Sequence, residues 1–348
     1  MAKRPTPTDR ITIHDVAARA GVSIATVSRV LNASAGVADE TRARVLEAVE
    51  HYHYHPQRNA RALAQPGAHT VAVAVPSATS LFYVELLKGV RDELRTADVD
   101  LLLCNLGSVR PFETLHRFLD RGAVDALLVA SIPILGDLGS RLEGLRAPVS
   151  LVGTSFPGFD AVTWDDAEGA AAAVRHLLDQ GHRRVGMIAP HPWSIKGAER
   201  QRGYVEALGA AGIAPDPDLV ALGETRKHAG YSEEAGDEAM QKLLALSDPP
   251  TAVFAASDVQ AIGALAALRH AGLRAPEDVA LVGYDNIKLA RYLDLTTVNQ
   301  TMYDVGLQAT RRLLDRLRGS RAPAHVEHLE PPLVVRGSSR QRADGPAG

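Results

Sequence analysis

From Thr70 onward, short apolar runs alternate along the chain with longer segments that have the spacing of amphipathic helices. Such runs are typical of strands in a parallel sheet that is covered on both faces. The strands predicted in this way are Val71–Val75, Val99–Cys104, Ala126–Ala130, Val149–Val152, Val185–Ala189, Thr251–Ala256 and Val279–Gly283. The alternation predicts an α/β core of two lobes, each a doubly wound parallel sheet, with a ligand site in the cleft at the carboxyl ends of the strands.

The residues before Thr70 lack this alternation and are predicted to form a small all-α head. Three short helices are expected, at Ile13–Ala20, Ile24–Leu31 and Asp39–His51. Thr12 and Ser23 are suitable N-cap residues for the first two helices, and Gly21 ends the first helix. Residues 52–69 contain two prolines around a segment too short to be a stable helix alone, so we expect a linker that folds only with a partner.

The net charge of −3 hides an uneven distribution along the chain. Residues 1–70 carry 9 Lys and Arg against 6 Asp and Glu, a net charge of +3, which leaves −6 for the remainder. A basic segment is the sign expected of a nucleic-acid contact, although an excess of three charges is weak support by itself.

Other features of composition limit the compartment and the chemistry. No run of about 18 apolar residues is present, and the start MAKRPTPTDR lacks the apolar segment of a secretory signal. The single cysteine, Cys104, excludes an intrachain disulfide, and its apolar setting VDLLLCN predicts a buried, unreactive thiol. We therefore expect a cytoplasmic protein.

The segment TIHDVAARAGVSIATVSRVLN, from Thr12 to Asn32, has the pattern of two helices joined by a tight turn. The second helix begins with small and hydroxyl residues, which allows its N-terminus to enter a major groove. Hydroxyl groups there can donate hydrogen bonds to phosphates, whereas Ile24, Ala25 and Arg29 can meet base edges. The alternative is a helical hairpin that does not bind DNA.

The helix-turn-helix, the segment HPQRNARALA and the two-lobed body together resemble the LacI/GalR family of bacterial transcription regulators, from Thr12 to about Arg336. The resemblance implies a periplasmic-binding-protein-like core and a hinge helix at Arg58–Ala64 that forms on DNA. It places Ile24 and Ala25 at the main specificity positions, Arg29 at a further base contact, and Leu63 in the minor groove. An apolar wedge such as Leu63 unstacks a base step and kinks the duplex.

The candidate DNA-binding residues are therefore Thr12, Ser23, Ile24, Ala25, Thr26, Ser28, Arg29, Asn32, Arg58 and Leu63. Small apolar side chains at positions 24 and 25 suit thymine methyl groups, and Arg29 suits guanine.

The domain boundaries expected from these patterns divide the chain into four parts. They are a DNA-binding domain at 1–55, a hinge at 56–69, an effector-binding and dimerisation core at 70–336, and a disordered tail at 337–348. Within the core, the N-terminal lobe is expected at about 70–180 and 301–328, and the C-terminal lobe at about 181–300 and 329–336.

The candidate effector site is assembled from residues near strand ends. Asp285 and Asp258 follow the apolar runs ALVGY and TAVFAAS, and Arg200 lies in RQRG near the start of a helix. The resemblance aligns Arg200, Ser257 and Asp285 with effector-contacting positions, whereas Asp258 is expected to be structural, as a helix cap. Phe82, Tyr83 and Trp193 are candidates for stacking on a ring, as is Trp164, with lobe core as the alternative.

Charged donors and acceptors that converge on a cleft suit a polyhydroxyl ligand, so a sugar or glycoside is the expected effector. The segment GYDNIKLARY is close to that of a purine-binding member of the family, which raises a purine corepressor as the alternative. Ser194 and Thr225 stand where that member has an arginine and a phenylalanine for the purine, which favours a sugar.

The resemblance therefore implies a ligand-responsive transcription regulator, and we expect a repressor that binds a palindromic operator as a dimer; an activator or a tetramer is left open. No enzyme is predicted, because no phosphate-binding loop, serine elbow or zinc-protease motif occurs. No cofactor or metal is expected either, since His51, His53 and His55 lack a completing ligand. A solute-binding protein of similar shape is a less favoured alternative. The identity of the effector, and whether it induces or corepresses, are left open.

Overall fold

A computed structural model describes residues 12–31, 37–52, 69–97, 99–107, 110–120, 124–225 and 227–340. The chain divides into two compact units, residues 1–69 with 98–100, and residues 70–97 with 101–348. Among the described residues, no helix combines the length and the apolarity needed to cross a membrane.

The head consists of three helices with the bounds that the sequence predicts: α1 (Ile13–Ala20), α2 (Ile24–Leu31) and α3 (Asp39–His51). Val16, Val27 and Val45, one from each helix, are fully or almost fully buried against one another. The turn after α1 depends on Gly21, whose φ of +64° is strained for any residue with a Cβ. Helical periodicity was therefore sufficient to predict this small core.

The core unit contains nine described helices and twelve strands. The helices are α4 (Leu81–Leu94), α5 (Pro111–Leu119), α6 (Leu138–Glu143), α7 (Asp166–Asp179), α8 (Ile195–Ala210), α9 (Glu233–Leu244), α10 (Asp258–His270), α11 (Lys288–Tyr292) and α12 (Met302–Leu317). The strands are β1 (His69–Val75), β2 (Val99–Asn105), β3 (Ala126–Ala130), β4 (Val149–Val152), β5 (Asp160–Trp164), β6 (Val185–Ile188), β7 (Val220–Ala221), β8 (Ala252–Ala255), β9 (Ala280–Asp285), β10 (Thr296–Asn299), β11 (Val326–Leu329) and β12 (Leu333–Val334).

The strands form two six-stranded sheets, which define an N-lobe and a C-lobe. The strand order is β11-β5-β4-β3-β1-β2 in the N-lobe and β12-β10-β9-β8-β6-β7 in the C-lobe. Nine pairings are described: eight are parallel, and that between β10 and β12 is antiparallel. The two-lobed α/β core with a helical head is confirmed.

The first crossover between the lobes lies near Asp165, not near residue 180 as the sequence led us to expect. Helix α7 packs against α8 and the C-lobe sheet, where its Val174 and Leu177 share one buried cluster with Phe254 of β8. The period of a helix shows which face is buried but not which sheet it covers, so the sequence alone misplaced this boundary.

The predicted start of the disordered tail, at residue 337, is too early in the sequence. Gly337–Ser339 forms a 3-10 helix, and Ser338 and Ser339 are buried. The Ser338 hydroxyl donates to the Leu281 carbonyl at 2.6 Å and accepts from the Thr296 backbone N–H at 2.9 Å. The chain is thus ordered against β9 and β10 to at least Ser339, and the tail residues 341–348 lie outside the described residues.

Cys104 is half-buried, not fully buried as predicted. Its strand, β2, is one of the two edge strands of the N-lobe sheet, and an edge strand has one side without a neighbouring strand. The apolar sequence around Cys104 therefore indicated a strand correctly but overstated its burial.

Small residues let α7 and α8 approach each other closely. A Cβ added to Gly203 of α8 would overlap the backbone carbonyl oxygen of Ala167 in α7, whereas one added to Gly209 of the same helix would meet nothing within 4 Å. The contact joins the first helix of the C-lobe to the helix that carries Arg200, so it fixes part of the wall of the cleft.

We expect Gly203→Ala to destabilise the C-lobe by about 1–3 kcal/mol, because the two helices must separate to admit the methyl group. Gly209→Ala is the matched control and should leave stability unchanged or raise it by up to about 1 kcal/mol, the intrinsic gain of alanine in a helix. Urea unfolding followed by circular dichroism measures both. Equal effects of the two substitutions would refute the close-packing argument.

Candidate functional site

The candidate DNA-reading surface is the exposed side of α2. Ser23, Ile24, Ala25 and Arg29 are exposed, and Ile24 leaves 41% of its surface open. The Ser23 hydroxyl caps the helix by accepting from the Thr26 backbone N–H at 3.1 Å. Together these residues present one cation, small apolar groups and a hydroxyl on one face, while Val27 and Val30 hold the opposite face in the head core.

The start of α1 is held by a local pair. The Thr12 backbone N–H and hydroxyl both donate to the Asp15 carboxylate at 2.7 Å, and these hydrogen bonds lower the pKa of Asp15. Ser28 and Thr26 are half-buried on α2. The other candidate DNA-binding residues, Asn32, Arg58 and Leu63, lie outside the described residues, so their roles remain predictions.

The predicted effector site is a cavity of about 390 Å³ lined by residues of both lobes. The residues of the prediction that line it are Phe82, Tyr83, Trp193, Arg200, Ser257 and Asp285. Other residues that line it include Ser131, Trp164, Asp166, Lys196, Tyr231 and Gln300. The folding of the chain therefore brings the six predicted side chains to one cavity.

Arg200 is the central cation of this cavity and is only 5% exposed. Its Nε donates to Asp166 Oδ1 at 2.9 Å, and its Nη1 donates to the Ala256 carbonyl and, at 3.4 Å, to Asp285 Oδ1. The guanidinium also lies 3.7 Å from the centre of the Tyr284 ring. Burial by itself would lower the pKa of Arg200, but attraction to Asp166 and Asp285 outweighs it and raises the pKa, so the side chain stays charged.

Asp285 ends β9 and is one of the carboxyl groups that line the cavity. In the amide orientation that both neighbours require, Gln300 donates to Asp285 Oδ1 at 2.9 Å and accepts from Trp164 Nε1. Burial raises the pKa of Asp285 to about 7, against the opposing attraction of Arg200. Gln300 follows β10 and Trp164 ends β5, so this set of contacts reaches from the C-lobe to the N-lobe.

The backbone at Asp285 is strained, because Asp285 and Asn286 have φ values of +115° and +55°. Three side chains hold this turn. Asp258 Oδ2 accepts from the Ile287 backbone N–H at 2.8 Å, Thr297 Oγ1 accepts from the Asn286 N–H at 3.2 Å, and Arg336 Nη2 donates to Asn286 Oδ1 at 2.8 Å.

The expectation that Asp258 caps the following helix is wrong. The N-cap of α10 is Ser257, whose hydroxyl accepts from the Gln260 backbone N–H at 3.3 Å. Asp258 is instead fully buried and also accepts from the Thr297 hydroxyl at 2.6 Å, so it supports the turn that positions Asp285.

Asp166, Lys196 and Gln300 are pocket residues that the sequence analysis missed. Asp166 begins α7 with a fully buried side chain, and Lys196 Nζ lies 3.0 Å from its Oδ2. Asp166 follows β5, a strand that we did not predict because Asp160 and Thr163 interrupt the apolar run. Recognising DAVTW as a strand would have placed Asp166 at a carboxyl end, beside the cleft.

The aromatic residues of the cavity have different settings. Phe82 and Tyr83 contact each other edge to face, with ring centres 5.0 Å apart. Trp164 is buried, whereas Trp193 is 54% exposed and stacks on His191 with ring centres 4.3 Å apart. Trp193 is therefore not part of a lobe core, the alternative raised by the sequence.

The structure also describes Ser194 and Thr225, the two residues that favour a sugar over a purine in the sequence analysis. The Ser194 hydroxyl caps α8, accepting from the Gly197 backbone N–H at 3.0 Å, and it lies 3.0 Å from the Tyr231 hydroxyl within the cavity lining. Thr225 offers its backbone carbonyl to His191 Nε2 at 2.9 Å. No group of acidic, histidine or cysteine side chains among the described residues could hold a metal ion.

Comparisons with known proteins are consistent over most of the chain. Residues 12–57 match the family described as bacterial regulatory proteins, lacI family, and residues 174–339 match the periplasmic binding protein-like domain. The HTH-type transcriptional repressor PurR of Edwardsiella ictaluri is 36% identical over 342 residues, which cover 96% of this chain and 98% of the relative.

Solved structures agree with this similarity. The transcriptional regulator CelR in complex with cellobiose is 33% identical, with a TM-score of 0.66 over 94% of this chain and 100% of that chain. The lac repressor dimer bound to operator and the anti-inducer ONPF is 25% identical, with a TM-score of 0.68 over 95% of this chain and 99% of that chain.

The raised pKa of Asp285 predicts how stability depends on pH. Its folded-state pKa of about 7 lies above the ordinary 3.8, so the native state binds the proton more tightly than the unfolded chain does. The stabilisation is present at low pH and is lost as the pH rises through about 7. The melting temperature of the wild type, relative to that of Asp285→Asn, should therefore fall as the pH rises.

Differential scanning calorimetry at pH values below and above about 7 measures the difference in melting temperature between the wild type and Asp285→Asn. A difference between wild type and Asp285→Asn that stays constant, or grows with pH, would contradict the assignment.

Proposed function

Because the chain belongs to the LacI family of bacterial regulatory proteins, we propose that it is a repressor that binds a palindromic operator as a dimer and is released by a small sugar or glycoside. The observation that carries the proposal is the presence in one chain of an exposed reading helix and of an interlobe cavity lined by Arg200, Asp285 and Gln300. We place the protein in the cytoplasm, where its operator would be. It is a transcriptional regulator and not an enzyme.

DNA contact is assigned to the head and the hinge. Ile24 and Ala25 suit thymine methyl groups, Arg29 suits guanine, and the hydroxyl groups near the start of α2 suit phosphates. Leu63 is assigned to the minor groove as a wedge in a hinge helix that forms on DNA. The similarity to a lac repressor dimer on its operator supports a dimer on two half-sites, which gives a palindromic operator.

The domain limits proposed for this function combine sequence and structure. The DNA-binding head occupies 1–55 and the hinge 56–69. The N-lobe then consists of the segments that carry β1 to β5, α12 and β11, and the C-lobe of those that carry α7 to β10 and β12. Neither lobe is continuous in sequence. The chain crosses between them near Asp165, near Gln300 and near Glu330, so a movement of one lobe against the other bends all three crossovers.

The effector assignment depends on the polar wall of the cavity. Arg200, Asp285 and Gln300 supply charged and neutral groups that both donate and accept, as the hydroxyl groups of a sugar require. The match to a cellobiose complex supports a sugar or glycoside. A purine corepressor is the second candidate, favoured by the 36% identity to PurR and by the segment GYDNIKLARY.

The mechanism proposed for release is a change in lobe closure. An effector that binds both lobes favours the closed cleft, which shifts the N-lobes of the dimer and prevents both hinge segments from folding on DNA. A coupling of about 1–3 kcal/mol would change operator affinity about 5- to 150-fold. A solute-binding protein without DNA function is set aside because of the helix-turn-helix match.

Arg29→Ala should relax discrimination at one base pair of each half-site, at a cost of about 1–3 kcal/mol, because the bidentate contact to guanine is lost. Arg44→Ala removes the same charge from the exposed side of α3 and is the matched control. Selection of bound sequences from a random pool, at fixed salt, gives the preference of each variant. An unaltered preference for Arg29→Ala would remove this residue from direct readout.

Arg200→Ala and Asp285→Asn should weaken effector binding at least about tenfold, since each removes a hydrogen bond to a charged group, while operator affinity is preserved. Arg202→Ala, an exposed residue of the same helix, is the control for Arg200. The measurement is a thermal-shift screen of sugars and purines, followed by operator release in fluorescence anisotropy. A wild-type shift with purines alone would select the corepressor, and a normal response in Arg200→Ala would refute the site.

A further inference from the structure

The charged side chains that line the cavity are arranged in compensated pairs. Lys196 Nζ lies 3.0 Å from both Asp166 Oδ2 and Glu199 Oε2, and Arg200 contacts Asp166 and Asp285. Among the described residues that line the cavity, these are the only Lys and Arg. A phosphate or carboxylate would therefore have to displace an existing ion pair, so the cavity favours a neutral ligand.

The cavity lining includes a polar end, formed by Arg200 and Asp285, and the indole of Trp193, which differ in exposure. Arg200 and Asp285, at the polar end, are 5% and 9% exposed, whereas Trp193 is 54% exposed. The charged groups of the polar end and the amide of Gln300 suit the hydroxyl groups of one sugar ring. The indole of Trp193 then remains as a second apolar contact surface at the mouth.

Trp193 is held in place before any ligand arrives. Its ring is parallel to that of His191, with an angle of 3° between the planes. His191 is fixed in turn, because its Nε2 lies 2.9 Å from the Thr225 carbonyl and its backbone N–H donates to the Ala229 carbonyl at 2.9 Å. His191 thus covers one face of the indole. When a ligand ring stacks on the remaining indole surface, the Trp193 side chain loses little conformational entropy.

The aromatic pair is also joined to the polar end through the next residue. Ser194 follows Trp193 and contacts the Tyr231 hydroxyl at 3.0 Å, and the Tyr231 ring lies 6.0 Å from the Arg200 guanidinium. A single ligand that spans these residues would contact Arg200 with one ring and Trp193 with the next.

We propose that the Trp193–His191 pair is an outer stacking subsite, and that the effector is a neutral glycoside of two rings. One sugar ring occupies the polar end at Arg200 and Asp285, and the second ring stacks on Trp193. This inference rests on the proposed function. A sugar and a planar base both present a ring face that stacks on indole, so a disaccharide and a nucleoside share the required chemistry.

The test compares one-ring and two-ring probes by isothermal titration calorimetry on the full chain. One arm uses methyl β-glucoside and cellobiose, and the other uses ribose with adenosine and cytidine. In the arm that matches the effector, the two-ring probe should bind more tightly than the one-ring probe: cellobiose more tightly than methyl β-glucoside, or a nucleoside more tightly than ribose. Trp193→Ala should weaken that two-ring probe about fivefold to tenfold and change the one-ring probe less than about twofold. Trp193→Phe, which keeps a stacking face, should lie between.

The outcomes separate this inference from the proposed function. If one-ring probes bind, need Arg200 and bind as tightly as two-ring probes, the sugar-responsive function stands and the outer subsite is refuted. Equal loss of both probes in Trp193→Ala also refutes it. If no probe in either arm binds the wild type, both proposals fail. His191→Ala is a second variant that should reproduce the selective loss, and the melting temperature of each variant confirms folding.

Discussion

The buried guanidinium of Arg200 is the interaction on which the cleft depends. It is paired with Asp166 from the start of α7 and with Asp285 from the end of β9, and it lies over the Tyr284 ring. An ion in such a setting is tolerated only while its partners remain, because removal of one leaves a buried charge uncompensated. The pairing therefore fixes α7, α8 and β9 relative to one another, and it determines where a ligand finds donors and acceptors.

The same contacts connect the two lobes. Asp285 accepts from Gln300 in the second crossover, and Gln300 accepts from Trp164 at the end of an N-lobe strand. Asp285 itself adopts a left-handed backbone conformation. Asp258, Thr297 and Arg336 stabilise the turn by hydrogen bonds to the two residues that follow Asp285. Strain that is maintained by several hydrogen bonds at one point is typical of ligand-binding sites. A ligand at this point acts on both the strained turn and the path between the lobes.

Much of this arrangement could be predicted from the sequence, since local patterns determine local structure. The head helices follow from caps and periodicity, and Arg200, Ser257 and Asp285 lie where carboxyl ends of strands and a helix start meet the cleft. Gln300 could not be placed in this way, and Asp166 could be placed only by recognising the strand DAVTW before it. Their role depends on which lobe each crossover segment joins, and that is decided by close contacts such as Gly203 against Ala167.

The segment from β11 to Ser339 determines when the two sheets of the core can be completed during synthesis. Each sheet receives a strand from the last part of the chain, β11 in the N-lobe and β12 in the C-lobe, and Ser338 and Ser339 are buried against the C-lobe. During synthesis, the N-lobe sheet cannot be completed before Leu329 has been added, nor the C-lobe sheet before Val334. For the same reason, neither lobe can be expressed as a continuous fragment, and a truncation before Ser339 removes buried structure, whereas a fusion after Arg340 leaves it intact.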